Sequence, residues 1–103
     1  MSGYILAAPA QEDLLAIRRY YLREAGYRIA RQMSAEFVSA FRMIARNPGV
    51  GHRREDLAAS RPILFWPIKD YLILYRIMRR SVEIVMIMHG SRDIAALILH
   101  RDL

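Results

Sequence analysis

The sequence contains no cysteine, and Lys69 is the only lysine among its sixteen basic residues. Without cysteine the chain has neither a disulfide framework nor a thiolate metal site. Its apolar runs are interrupted well before the roughly 20 residues that a membrane-spanning helix needs. The N-terminus has no basic segment followed by an apolar one, so we expect no signal peptide. These absences favour a soluble intracellular protein.

The charge balance is strongly positive. Lys and Arg number 16 against 10 Asp and Glu, and the 103 residues are of a size that predicts one domain spanning 1–103. Arginine presents a planar fork that matches phosphate and carboxylate groups. The composition therefore favours a nucleic acid or an acidic protein as partner. The alternative is an arginine-rich solvated surface that reflects a GC-rich genome.

The N-terminal half predicts a strand followed by a helical hairpin. Residues 4–8 form a short apolar run, and Pro9 suits the first turn of a helix that ends at Gly26. We expect Glu12 and Asp13 to lie where the helix dipole favours acids. A second helix is predicted over 28–46, because apolar residues recur there at helical spacing. Asn47 precedes a proline and ends it.

The C-terminal half predicts three antiparallel strands and a closing helix. The strands span 61–66, 71–78 and 82–88, with turns at 67–70 and 79–81. Pro62 and Pro67 favour an edge position for the first of them, whereas the last is apolar on both faces and should be central. A short helix fits 93–99, with Ser91 as a possible cap. The predicted fold is α+β, in the order β-α-α-β-β-β-α, with the helices on one face of the sheet.

A set of residues spread over nearly the whole chain resembles the RelE/ParE toxin superfamily of bacterial type II toxin–antitoxin systems. The ParE-like branch fits best, because the chain has a Pro-Gly-x-Gly loop and a terminal His-Gly-x-Arg-Asp. The residues that carry the resemblance are Tyr4, Pro9-Ala10, Asp13-Leu14, Ile17, Tyr20-Tyr21, Asn47-Pro48-Gly49, Gly51, Arg54, Asp56-Leu57, Arg61, Tyr71-Leu72-Ile73, Tyr75-Arg76 and His89-Gly90-Ser91-Arg92-Asp93.

The resemblance implies a toxin that acts in the bacterial cytoplasm and is neutralised by a cognate antitoxin. A ParE-like toxin is expected to inhibit DNA gyrase without catalysis and without a cofactor. A RelE-like toxin would instead cut messenger RNA on the ribosome. A third possibility is an inactive paralogue that only binds its antitoxin and regulates its operon. The implied antitoxin is small and acidic, with a DNA-binding N-terminal domain and a flexible C-terminal segment that folds onto the toxin.

The ribonuclease alternative requires a base, an acid and cations that hold the phosphate. Arg61, Arg76 and His89 lie on predicted strands and are the candidates for one shared sheet face. The sequence does not determine to which face of the sheet each side chain points, because a bulge would reverse the alternation. For His89 the alternative is a structural residue that hydrogen-bonds the following turn and positions Gly90. A metal site is not expected, since the three histidines are scattered along the sequence.

Two further groups of residues are candidate contact sites. For the gyrase target they are Arg79, Arg80, Arg92, His100 and Arg101. For Arg92 and the neighbouring Asp93 the alternative is helix capping with a surface ion pair. For the antitoxin the candidates are Ile17, Tyr20, Tyr21, Phe65, Trp66 and Tyr75, because a domain of this size cannot bury all its large apolar residues. The alternative for these residues is a place in the core.

Overall fold

The computed structural model describes residues 3–54, 56, 62–91 and 93–101. A short strand is followed by two helices that Gly26 separates, then by three strands and a last helix. The elements are β1 (Gly3–Leu6), α1 (Ala8–Ala25), α2 (Tyr27–Arg46), β2 (Leu64–Ile68), β3 (Tyr71–Ile77), β4 (Ser81–His89) and α3 (Ile94–His100), with a 3₁₀ turn at Pro48–Val50. The α+β fold and its element order are as the sequence predicted.

The four strands form one sheet in the order β1-β4-β3-β2. The meander of β2, β3 and β4 is antiparallel, whereas β1 lies parallel to β4. The prediction that the last strand is central is confirmed, and so is the edge position of the strand that contains Pro67. Pro67 lies within β2 opposite Leu72, and not in the following turn. An edge strand tolerates proline, because one side of its backbone has no ladder partner.

The helical hairpin packs on one face of the sheet. Phe37, Phe41 and Ile44 of α2 are fully buried against Ile73 and Ile84 of the strands. Gly26 joins the helices with a φ of 89°, a backbone conformation that glycine adopts without steric cost. The hairpin therefore holds α1 across the centre of the sheet.

The last helix packs on the opposite face. Ile94 and Ile98 of α3 join a second apolar cluster with Phe65, Leu74 and Met86. The expectation that the helices share one face is therefore wrong for α3. The apolar character of β4 on both sides is what allows both faces to be covered.

Two local predictions about helix ends are also wrong. Glu12 and Asp13 lie beyond the first turn of α1, which contains no acid. Asp93, and not Ser91, caps α3, because its side chain accepts a hydrogen bond from the Ala96 N–H at 3.2 Å. No helix in the described part of the chain is long and apolar enough to cross a membrane.

Candidate functional site

The central strand β4 has an edge that β1 covers only in part. β1 pairs with β4 from Ser81 to Ile84, and a hydrogen bond from the Ala7 N–H to the Ile84 carbonyl ends this ladder. Within the described residues no strand pairs with 85–89 on this side. Beside this edge lies an open groove of about 580 Å³ between α1, the end of β4 and α3. It is lined by Asp13, Ala16, Ile17, Tyr20, Tyr21, Asp70, Tyr71, Ile87, Met88, His89, Ser91, Leu97 and Arg101.

An ion pair closes one side of the groove and binds one backbone group of the uncovered edge. The Asp13 carboxylate accepts a hydrogen bond from the Ile87 N–H at 2.9 Å, on the edge that β1 leaves open. The same carboxylate accepts two bonds from the Arg101 guanidinium, at 2.8 and 2.9 Å. These bonds raise the pKa of Arg101 above its ordinary value. Asp13 therefore joins α1, β4 and the end of α3 through one side chain.

Aromatic rings form the opposite wall of the groove. Tyr20 is 48% exposed and contacts Tyr21 edge to face, with the ring centroids 5.1 Å apart. Tyr71 is buried at the base and contacts the His89 ring edge to face at 5.3 Å. Burial raises the pKa of Tyr71, and the nearby Tyr21 hydroxyl adds to this effect. The groove thus combines apolar walls with an open backbone edge, which is the combination that binds extended or helical peptide segments.

The His89 ring binds the turn that follows β4, as the structural interpretation of this residue predicts. The Ser91 N–H donates to His89 Nδ1 at 3.1 Å, and the Ser91 hydroxyl lies 2.7 Å from the same nitrogen. Nδ1 is therefore the acceptor, and a neutral ring carries its proton on Nε2. The Gly90 N–H donates to the Asp70 carbonyl at 2.8 Å, so the turn is fixed from both sides.

Of the predicted ribonuclease set, the structure describes Arg76 and His89 and does not bring these two together. Arg76 lies opposite Glu83 in the ladder, whereas His89 lies opposite Tyr71, so the two are about 17 Å apart along β3. They also face opposite sides of the sheet: Arg76 lies two residues after Leu74 and shares its α3 face, whereas His89 lies opposite Tyr71 of the hairpin face. A register shift at Leu74/Tyr75 marks an irregularity in β4 that the sequence did not reveal.

In this set, the Arg76 guanidinium is bound by an acid, and Arg61 is not described. Arg76 forms an ion pair with Glu83, at 2.6 Å. Arg61 lies outside the described residues. No group of three His, Cys, Asp or Glu residues in the described ranges is arranged to hold a metal ion.

The four described residues that were predicted to contact the target do not form one surface. Arg79 and Arg80 are exposed in the β3–β4 turn, at the Ser81 end of β4. Arg101 lies with Asp13 near Ile87, which is about 20 Å further along the strand. His100 is exposed at the end of α3, and Arg92 lies outside the described residues.

The residues predicted to contact the antitoxin divide into groove and core. Ile17, Tyr20 and Tyr21 line the groove. Phe65 and Tyr75 are 1% and 0% exposed, so a partner cannot reach them in this fold, and the expectation that they form a contact surface is corrected. Tyr75 belongs to the apolar cluster under the helical hairpin, and Phe65 belongs to the cluster under α3. Trp66 is half-buried under His52, whose ring stacks on it with 6.1 Å between centroids.

Tyr75 instead holds the loop that follows α2. Its hydroxyl donates to the Pro48 carbonyl at 2.6 Å and accepts from the Gly51 N–H at 2.8 Å. A Cβ at Gly51 would lie 2.5 Å from the Tyr75 hydroxyl oxygen, so this position requires glycine. Burial raises the pKa of the Tyr75 hydroxyl. The Pro-Gly-x-Gly motif therefore binds the hydroxyl of the buried Tyr75 through its backbone.

Sequence reasoning missed the central role of Asp13. It is separated from Ile87 by 74 residues and from Arg101 by 88. No local pattern marks such a pairing. The available signals are its place in the second turn of α1, one residue before Leu14, and its presence among the residues that carry the family resemblance.

Comparison with known proteins identifies the class of this chain. Residues 4–94 match the model of a family described as the ParE toxin of the type II toxin–antitoxin system, parDE. The match places the chain among the protein toxins of type II toxin–antitoxin systems. The chain belongs to the ParE toxin family. No functionally curated protein matches it at a significant level.

A solved structure supports the fold. A chain in the chromosomal ParDE toxin–antitoxin system from P. aeruginosa is similar to this one with a TM-score of 0.73. The similarity covers 86% of this chain and 96% of that chain, at 18% sequence identity. At this identity the likeness concerns the arrangement of helices and strands.

Proposed function

We propose that this ParE-family toxin inhibits DNA gyrase by binding it, and that a cognate antitoxin blocks this action in the bacterial cytoplasm. Family membership is the observation that carries the proposal. The separation of Arg76 from His89 supports it further, since RNA cleavage needs acid, base and cations around one phosphate. The proposed mechanism is a stabilised gyrase–DNA cleavage state, with no chemistry by the toxin itself.

The exposed cations away from the groove are the proposed target contacts. Arg79 and Arg80 stand on the β3–β4 turn, and His100 ends α3. Arg101 is a weaker candidate, because its guanidinium already binds Asp13. Arg92 remains a prediction from the sequence.

The groove beside β4 is the proposed antitoxin site. Its exposed Tyr20 offers an apolar anchor, and the open edge at 85–89 offers backbone groups to an added strand. Partner residues that are apolar and acidic suit this site, because the chain carries a formal net charge of +6. An antitoxin bound there would extend along α1 toward α3, whose end carries His100.

Expression without the antitoxin tests the proposal in cells. A gyrase poison leaves broken DNA, so a DNA-damage reporter should rise before protein synthesis declines. An immediate arrest of translation with a silent reporter would favour the ribosome as target. Folded toxin that has no effect on growth would favour the inactive paralogue.

A further inference from the structure

The second helix of the hairpin, α2, carries four arginines against one acid. Acidic residues neutralise cations elsewhere through the ion pairs Arg101–Asp13, Arg76–Glu83, Arg54–Asp56 and Lys69–Glu36. The last of these also occupies Glu36, which is the only acid of α2. The arginines of α2 therefore face solvent without an acid on their own helix to pair with.

All four arginines of α2 lie on one line along the helix. At 100° per residue, Arg28, Arg31, Arg42 and Arg46 lie within about 60° of one another around the helix axis. This α2 arginine stripe points away from the core residue Phe37, and its four members are exposed. None forms an ion pair or a side-chain hydrogen bond with another described residue.

The stripe consists of two pairs separated by small residues. Arg28 with Arg31 and Arg42 with Arg46 have centres about 22 Å apart, at a rise of 1.5 Å per residue. Ala35 and Ser39 lie between them on the same line. The major groove of B-form DNA is about 12 Å wide and admits an α-helix. Arginine side chains at both ends of such a helix can therefore reach the phosphate strands on either side.

The chemistry of the stripe favours DNA over other polyanions. An acidic protein segment usually binds through buried apolar or aromatic anchors, and the centre of this line offers only Ala35 and Ser39. Duplex RNA has a deep and narrow major groove that does not admit a helix. Short side chains at the centre also read no bases, so the contact would be independent of sequence.

We propose that α2 is a DNA-binding element that holds the toxin on duplex DNA through phosphate contacts of the arginine stripe. This activity goes beyond gyrase inhibition and does not depend on it. A toxin that binds duplex DNA by itself would be concentrated along the duplex. It would therefore already be there when it meets a partner that works on DNA.

Fluorescence anisotropy with purified, antitoxin-free toxin tests the proposal. The probe is a labelled B-form duplex of about 20 base pairs with mixed sequence, titrated between about 50 and 200 mM salt. Four phosphate contacts predict a slope of about −3.6 for log K against log salt, or a loss of roughly 150-fold in affinity over this range. The variants R28Q/R31Q and R42Q/R46Q should each reduce the slope by about 1.8.

The matched control is R79Q/R80Q, which removes the same charge from the exposed β3–β4 turn. Glutamine is a good helix former, so the α2 variants should keep the wild-type circular dichroism. Equal losses for the control and the α2 pairs would mean that net charge alone is responsible, and would overturn the proposal. It would also be overturned if an acidic peptide such as oligoglutamate bound more tightly than the duplex and lost affinity with the same α2 variants.

Discussion

The Arg101 guanidinium binds the Asp13 carboxylate at 2.8 and 2.9 Å across 88 residues of chain. Asp13 also accepts the Ile87 N–H, so one acid links the sheet edge to the end of α3. The side chains of Arg101 and Asp13 are 28% and 13% exposed. The pair is shielded well enough from water to contribute to stability, unlike a surface ion pair.

Replacing Asp13 tests this link. Asp13→Ala leaves the Ile87 N–H and the Arg101 guanidinium without their acceptor, so we expect a loss of about 1–3 kcal/mol in the free energy of unfolding. Asp13→Asn keeps one carbonyl oxygen for Ile87 and should lose less. Urea denaturation measures both variants. Equal losses would show that the hydrogen bond to Ile87 contributes nothing.

Tyr75 makes the protein sensitive to alkaline pH. Burial raises the pKa of its hydroxyl, so the folded chain holds this proton more tightly than the unfolded chain does. The resulting stability is complete below the ordinary tyrosine pKa of about 10 and is lost as the pH rises above it. Tyr75→Phe should cost about 1–3 kcal/mol at neutral pH, because the Gly51 N–H and the Pro48 carbonyl lose their partner.

In the Tyr75→Phe variant the free energy of unfolding should fall less steeply at alkaline pH than in the wild type. Tyr71 supplies the remaining decline, since burial also raises its pKa. Chemical denaturation at about pH 8 and about pH 11 measures the difference. A decline of the same steepness in Tyr75→Phe as in the wild type would contradict this assignment.

Substitutions of His89 distinguish a structural role of this residue from a catalytic one. Asparagine can accept the Ser91 N–H in place of Nδ1 but cannot act as a general base near neutral pH. His89→Asn should therefore keep wild-type toxicity, whereas His89→Ala should lose some stability. Growth inhibition and thermal unfolding are measured side by side. A folded His89→Asn variant that has lost all toxicity would restore the ribonuclease alternative.

Tyr20 tests the proposed antitoxin site. Its ring is 48% exposed in the groove, while Leu22 is 41% exposed on α1 and does not line the groove. We expect Tyr20→Ala to weaken antitoxin binding about tenfold or more, as for an anchor worth over 1 kcal/mol. Leu22→Ala is the matched control and should change the affinity little. If calorimetry gave equal effects for the two variants, the antitoxin would bind elsewhere.

The order of helices and strands was predictable, because it follows from the spacing of apolar residues and from the residues that end helices. Apolar spacing placed both long helices, Gly26 and Asn47 ended them, and the two-sided apolar pattern of β4 made it central. The face covered by α3 was not predictable, since β4 is apolar on both sides. The positions of Arg76 and His89 depended on an irregularity near Tyr75 that leaves no mark in the sequence.

The candidate site was only partly predictable. Tyr20, Tyr21 and Ile17 were predicted as contact residues because a domain of this size cannot bury all its large apolar side chains, and the three line the groove. Their contact with an antitoxin stays a prediction. Phe65 and Tyr75 were indistinguishable from them by composition, and only tertiary packing separates the two groups. Asp13 could not be found as a link, because contacts over 74 and 88 residues leave no local pattern.

The most direct test of the proposed function is plasmid supercoiling by purified gyrase with ATP, in the presence of antitoxin-free toxin. We expect a loss of supercoiling and an accumulation of linear DNA linked to gyrase protein. Adding the antitoxin should restore supercoiling. Unchanged gyrase activity with folded toxin that inhibits growth would contradict the account and direct the search to the ribosome.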